Sequence, residues 1–134
     1  RNLFVVDTEV FTQTYDVLVT RSAPLGIELL QTDLDSYQFT GKEFGLLVQY
    51  PDAMGKVRNF KGLTERAHAA EVLVTVAADI LSLALLVPPG EWGADIAVGS
   101  TQRFGIPMGC GGPHAAYFAI SSSVLCPGVS SESR

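Results

Sequence analysis

The chain has 134 residues, of which 47% are hydrophobic and 17% charged. That is enough apolar material for the core of one domain and too little charge for a disordered tail. The net charge is −5 and the Lys and Arg residues are scattered, which excludes a basic surface that tracks nucleic-acid phosphates.

Leu3 to Val6 is a short β-rich run, and the chain enters it straight from Arg1 with no Met or signal peptide, as a fragment would. Val10, Tyr15, Val17 and Leu18 predict a helix over Glu9 to Arg21, with Thr8 as its N-cap. Pro24 and Gly26 punctuate it, and Gly26 to Leu30 reads as a second strand. Asp33 to Lys42 is polar loop. Gly45 to Tyr50 is a continuous apolar run, the pattern of a strand buried on both faces, and Pro51-Asp52 ends it. Phe60, Leu63, Ala67 and Ala70 share one face of a helix over Phe60 to Ala70. Leu73 to Ala78 is another buried strand. Ile80 to Leu86 reads as a short helix stopped by Pro88-Pro89-Gly90, beside which Trp92 is expected to pack on the sheet edge. Asp95 to Gly99 and His114 to Ile120 read as strands on either side of a glycine-rich loop. Ser121 to Arg134 lacks periodicity and reads as an irregular tail.

Strands alternating with helices at this spacing predict an α/β fold with a mostly parallel sheet flanked by helices. No apolar stretch reaches the ~20 residues of a membrane span, because Thr75, Asp79 and Ser82 interrupt Val72 to Val87. Cys110 and Cys126 are too few for a disulfide framework and, with only His68 and His114 as further soft ligands, for a structural zinc site. No metal is expected.

In α/β sheets, ligands bind beyond the carboxyl ends of the strands. Ser100-Thr101-Gln102-Arg103 follows a strand there and offers two hydroxyls, an amide and a guanidinium. Gly105, Gly109, Gly111 and Gly112 come next. They either let backbone approach a ligand or serve a structural turn. The loop from Tyr50 to Lys56 carries Asp52 and Lys56 past another strand end and is expected to face the same side. His114, after Pro113, is either a turn residue or a group near the mouth of a site. Asp79 is expected to be an N-cap or a buried polar group, and His68 to be solvated or half-buried on its helix.

Long words of this sequence resemble the P-protein family of glycine decarboxylases. They are LVQYPD at Leu47 to Asp52, GKV at Gly55 to Val57, ERAH at Glu65 to His68, AAD at Ala77 to Asp79 and PPGEWGAD at Pro88 to Asp95. The longest is GSTQRFGIPMGCGGPHAAYFA at Gly99 to Ala119. The resemblance covers Arg1 to Ala119. It implies part of the large domain of a fold-type-I pyridoxal-phosphate transferase, here residues 1–120, with 121–134 as a divergent tail. The family's two halves resemble each other, as one polypeptide or two subunits. In the catalytic half the matching loop ends in His-Lys, and that lysine forms the Schiff base with pyridoxal phosphate. In register the lysine's position is Arg103, which offers no neutral amine. Cys110 stands where the family commonly has an aromatic residue.

The resemblance therefore implies the non-catalytic half, in the N-terminal part of the enzyme. No catalytic residue is expected here, and Arg103, Gln102, Thr101 and His114 are candidates at the interface or near the active site. Pyridoxal phosphate would be bound mainly by the other half. The implied partners are the catalytic half or second P-protein subunit, glycine and the lipoylated H-protein. The whole enzyme would decarboxylate glycine and pass the aminomethyl group to the lipoyl arm, in a bacterial cytoplasm or mitochondrial matrix. The other reading is a structural module that only scaffolds the catalytic half.

Overall fold

A computed structural model describes residues 1–125. Its strands are β1 (Leu3–Asp7), β2 (Glu28–Thr32), β3 (Glu43–Tyr50), β4 (Leu73–Ala78), β5 (Ile96–Ser100) and β6 (Ala116–Ile120). They form one sheet in the order β2-β1-β3-β4-β5-β6. All neighbours are parallel except β5 and β6, which are antiparallel. This is the mostly parallel sheet that the alternation of elements predicts.

Helix α1 (Thr12–Ser22) links β1 to β2, and α2 (Lys61–Ala69) links β3 to β4. Successive residues of a strand point to opposite faces. Val6 and Leu47 therefore meet Val10, Tyr15 and Leu18 on the α1 side. Val5, Leu46, Val48, Val74 and Val76 meet Leu63 and Ala67 of α2 on the other. With helices on both faces, β3 can be apolar at nearly every position, and it is buried almost throughout. The order reverses between β1 and β3, so the switch point of the sheet lies at their carboxyl ends.

Several elements differ from the sequence reading. Helix α1 begins at Thr12 rather than Glu9, and Thr8 does not cap it. The Asp7 carboxylate accepts the N–H of Glu9 (3.2 Å) and the Asp7 carbonyl that of Val10 (3.2 Å), which folds this stretch into a turn first. Strand β2 starts at Glu28 because Gly26, at φ 66°, ends a short 3-10 turn before it. The helix expected over Ile80 to Leu86 shrinks to a 3-10 turn at Ser82–Ala84. There Asp79 accepts the N–H of Leu81 through its side chain (3.1 Å) and that of Ser82 through its carbonyl (3.0 Å), closing a tight turn. Trp92 does not sit at the sheet edge. Its ring lies 5.9 Å from Tyr50, at the end of central β3, and 5.5 Å from Phe60. Ser122–Leu125 forms a short helix, α3, where irregular chain was expected, with the Val124 N–H on the Ser121 carbonyl (3.1 Å). Four residues are too few to show periodicity. The rest of the expected tail, with Cys126, lies outside the described residues.

Candidate functional site

The runs LFVVD and YPD each carry an apolar strand into an acid at its carboxyl end. Parallel pairing of β1 and β3 brings Asp7 and Asp52 together at the switch point. Arg58, on the segment between β3 and α2, fills the crevice between them. It is ion-paired with Asp7, lies 3.9 Å from Asp52 and 3.6 Å from Asp35, and stacks 4.8 Å over the ring of Phe60. Asp7 is 0% exposed. Burial pulls the Arg58 guanidinium below its ordinary value. Asp52 also accepts the N–H groups of Met54 (2.9 Å) and Lys56 (2.8 Å), and so fixes the loop after β3.

Beside this cluster a cavity of about 590 Å³ opens over the carboxyl ends of β3, β4 and β5. Phe11, the N-cap of α1, and Thr14 of α1 form one wall; Gln49, Asp52, Asp79, Ser100 and Arg103 supply its other polar lining. Arg103 Nε lies 3.2 Å from Asp79 Oδ2, and the Arg103 side chain is 62% exposed. The floor is held by Tyr117 of β6, whose hydroxyl donates to the Ala78 carbonyl at 2.7 Å. Its ring crosses β5 at Gly99, where a Cβ would lie 2.6 Å from the ring and 2.3 Å from the Ala78 carbonyl. Only glycine admits that crossing. Burial, then the charge of Asp79, raises the Tyr117 phenol.

The four candidate residues are thus separated. Arg103 lines the cavity, ion-paired. Thr101 turns away, and both its N–H (3.0 Å) and its hydroxyl (2.9 Å) donate to Ala115. Gln102 is exposed beyond the turn, its N–H on Ser100 Oγ (3.1 Å). His114 lies outside the cavity, with Nδ1 3.2 Å from the Gly112 carbonyl. Cys110 is exposed in the same loop. His68 is exposed on its helix, and its Nε2 is 2.9 Å from Asp95 Oδ2 at the opposite end of the sheet. Asp95 also takes the Val74 N–H at 2.7 Å, so that pair ties β5 to β4. The sequence reading missed Asp7, Arg58 and Gln49. An acid closing an apolar run was the available signal for Asp7, and a single polar side chain inside the buried run GLLVQY was that for Gln49; nothing local marked Arg58. Among the described residues no group of three or more His, Cys, Asp or Glu could hold a metal ion. No helix there is long and apolar enough to cross a membrane.

The cavity does not fit a covalently held pyridoxal phosphate. The chain's lysines are Lys42, Lys56 and Lys61, all are exposed, and none lines it. The group at the strand-end position is a guanidinium, which forms no Schiff base at neutral pH.

A glycine dehydrogenase (decarboxylating) of Nostoc punctiforme is 54% identical over 129 residues, 95% of this chain but 13% of the relative. The inhibitor-bound crystal structure of a glycine decarboxylase (P-protein) of the glycine cleavage system superposes with a TM-score of 0.84 at 34% identity, covering 93% of this chain and 30% of that one. A cystathionine gamma synthase from Xanthomonas oryzae shares the fold alone, with a TM-score of 0.65 at 20% identity over 75% of this chain and 27% of the other. The sheet is therefore that of the fold-type-I pyridoxal-phosphate enzymes. The family described as "Glycine cleavage system P-protein" matches residues 1–128, past Ala119 where the quoted resemblance stops and over Pro127-Gly128. On that match the chain belongs to the glycine cleavage system P-protein family.

Proposed function

We propose that this chain builds part of the non-catalytic half of a pyridoxal-phosphate-dependent glycine decarboxylase. The carrying observation is a fold-type-I strand-end crevice lined by Arg103 and by no lysine. On this reading the whole protein takes glycine, releases its carboxyl group as CO2 and passes the aminomethyl group to the lipoyl arm of the H-protein. Pyridoxal phosphate, bound mainly by the other half, supplies the electron sink. This chain contributes scaffold and interface: residues 1–120 form part of a large domain, and Arg103 presents a cation toward the facing half. The enzyme works in the cytoplasm of a bacterium or the mitochondrial matrix of a eukaryote.

The test is borohydride reduction of the complete protein with its cofactor, followed by peptide mapping. The pyridoxyl-lysine is expected outside these residues; label on Lys42, Lys56 or Lys61 overturns the reading. One observation favours the narrower, scaffold-only reading: Arg103 already has a partner in Asp79. Arg103→Ala in the complete enzyme separates the two. A lower glycine–CO2 exchange rate with unchanged folding supports a role at the interface, and an unchanged rate leaves only the scaffold.

A further inference from the structure

We propose that the cavity over β3, β4 and β5 is a site for a small oxyanion, a carboxylate or a phosphate monoester, held without a covalent bond. The unused hydrogen-bonding groups of the cavity are one cationic donor, a buried amide and two hydroxyls, all of which can donate. Gln49 is 6% exposed, lies on the central strand and lines the cavity, yet its side-chain amide has no partner among the described residues. Buried amides are normally paired, so an unpaired one at a cavity wall marks a place for a ligand. Arg103 approaches Asp79 through Nε, and its terminal nitrogens donate no hydrogen bond among the described residues. The hydroxyls of Thr14 and Ser100 donate to no acceptor among the described residues.

The carboxylates of the lining, by contrast, are buried or ion-paired. Asp52 Oδ1 accepts two backbone N–H groups, its other oxygen is directed inward at Arg58, and the side chain is 1% exposed. Asp79 accepts the Leu81 N–H on one oxygen and faces Arg103 with the other. The acceptors that remain, the Gln49 carbonyl and the hydroxyl oxygens of Thr14 and Ser100, are neutral, so no uncommitted negative charge is left to hold an ammonium group.

Helix α1 adds a field of the same sign. Its first turn, with Phe11 and Thr14, forms a wall of the cavity, no side chain caps it and no acid stands in it. The uncapped N–H groups of an 11-residue helix favour negative charge. Phe11, Pro51, Ala77 and Val98 supply apolar surface, so the ligand has a carbon body behind its oxyanion. The volume is within the range of small-molecule sites.

The test is equilibrium dialysis of labelled inorganic phosphate and of labelled glycolate against the complete protein saturated with pyridoxal phosphate. Wild type is expected to bind one equivalent more of one of these anions than Arg103→Gln does. Gln49→Leu is expected to weaken the same binding about tenfold to a hundredfold, the cost of losing a hydrogen bond to a charged group. Arg103 is exposed, so its replacement tests the site even if Gln49→Leu fails to fold. Preference for phosphate identifies a phosphorylated ligand, and preference for glycolate a carboxylate. Equal stoichiometry and affinity in wild type and variants, or no binding of either anion, overturns the proposal. None of these outcomes depends on whether the Schiff-base lysine lies in the other half.

Discussion

Glu43 opens the central strand with its carboxylate fully buried. It accepts the Tyr37 hydroxyl (2.6 Å), the Thr40 hydroxyl (2.8 Å) and the N–H groups of Thr40 (3.1 Å) and Gly41 (2.9 Å). Burial alone would raise its pKa, but these donors outweigh burial and hold it at about 2. Burial, then the hydrogen bond to Glu43, pushes Tyr37 up to about 12. The signs follow from linkage. The Glu43 contribution is full above about 4.5 and lost as pH falls through about 2. The Tyr37 contribution is full below about 10 and lost as pH rises through about 12. Tyr37→Phe should cost about 1–3 kcal/mol at neutral pH, since it leaves a buried carboxylate short of a donor. Urea midpoints of the complete protein measured from pH 2 to 8 check this: the variant should lose stability at a higher pH than wild type on the acid side. Equal acid limbs would mean that the hydroxyl does not hold the carboxylate. The sequence analysis singled out nothing at Glu43, which lies between the polar loop and the apolar run, because nothing local shows that the loop before it folds back to donate.

At the scale of elements, the segment between β3 and α2 inserts Arg58 between the ends of two strands. The consequence is a buried charge cluster whose members cannot be removed singly. Arg58→Met should destabilise by about 3–5 kcal/mol, because it leaves Asp7 buried without its counter-charge. The double variant Asp7→Asn with Arg58→Met should recover much of that loss. A double-mutant cycle in denaturant measures the coupling, and a single-variant cost under ~1 kcal/mol would show that water reaches Asp7. The elements that were legible in the sequence are those with a strong period. Strands β3 and β4 and helix α2 fall within two residues of the expected bounds, since burial on one or both faces writes itself into the pattern. The start of α1 and the turn after Asp79 were not legible, because a side chain or carbonyl there captures backbone N–H groups that a helix would otherwise use.

For the molecule as a whole, α1 covers one face of the sheet only near β1 and β3. Register continues that face through Leu73 and Thr75 of β4, Ile96 and Val98 of β5, and Phe118 and Ile120 of β6. There it is open, with Phe118 65% exposed. A contiguous apolar sheet face of this kind seeks cover. The chain expressed alone should therefore associate, with a concentration-dependent sedimentation coefficient. A sharp monomeric boundary with a single cooperative unfolding transition would contradict this. The tertiary frame also explains why Gln102 and Arg103, adjacent in sequence, part company: the 3-10 turn at Gln102–Phe104 sends one to solvent and the other over the crevice.

The family and the sheet were readable from the chain alone. The words from Pro88 to Asp95 and Gly99 to Ala119 are long, and the β–α alternation follows from which positions must be apolar. Pairing among polar groups was decided by tertiary structure. Asp7 meets Arg58, and Asp79 meets Arg103, only because strands distant in sequence end side by side. Hydrophobic periodicity fixes which face of a strand is buried, since every core residue contributes to it. It carries no information about which loop charge will reach which strand end, because that contact adds nothing to the apolar pattern of either segment.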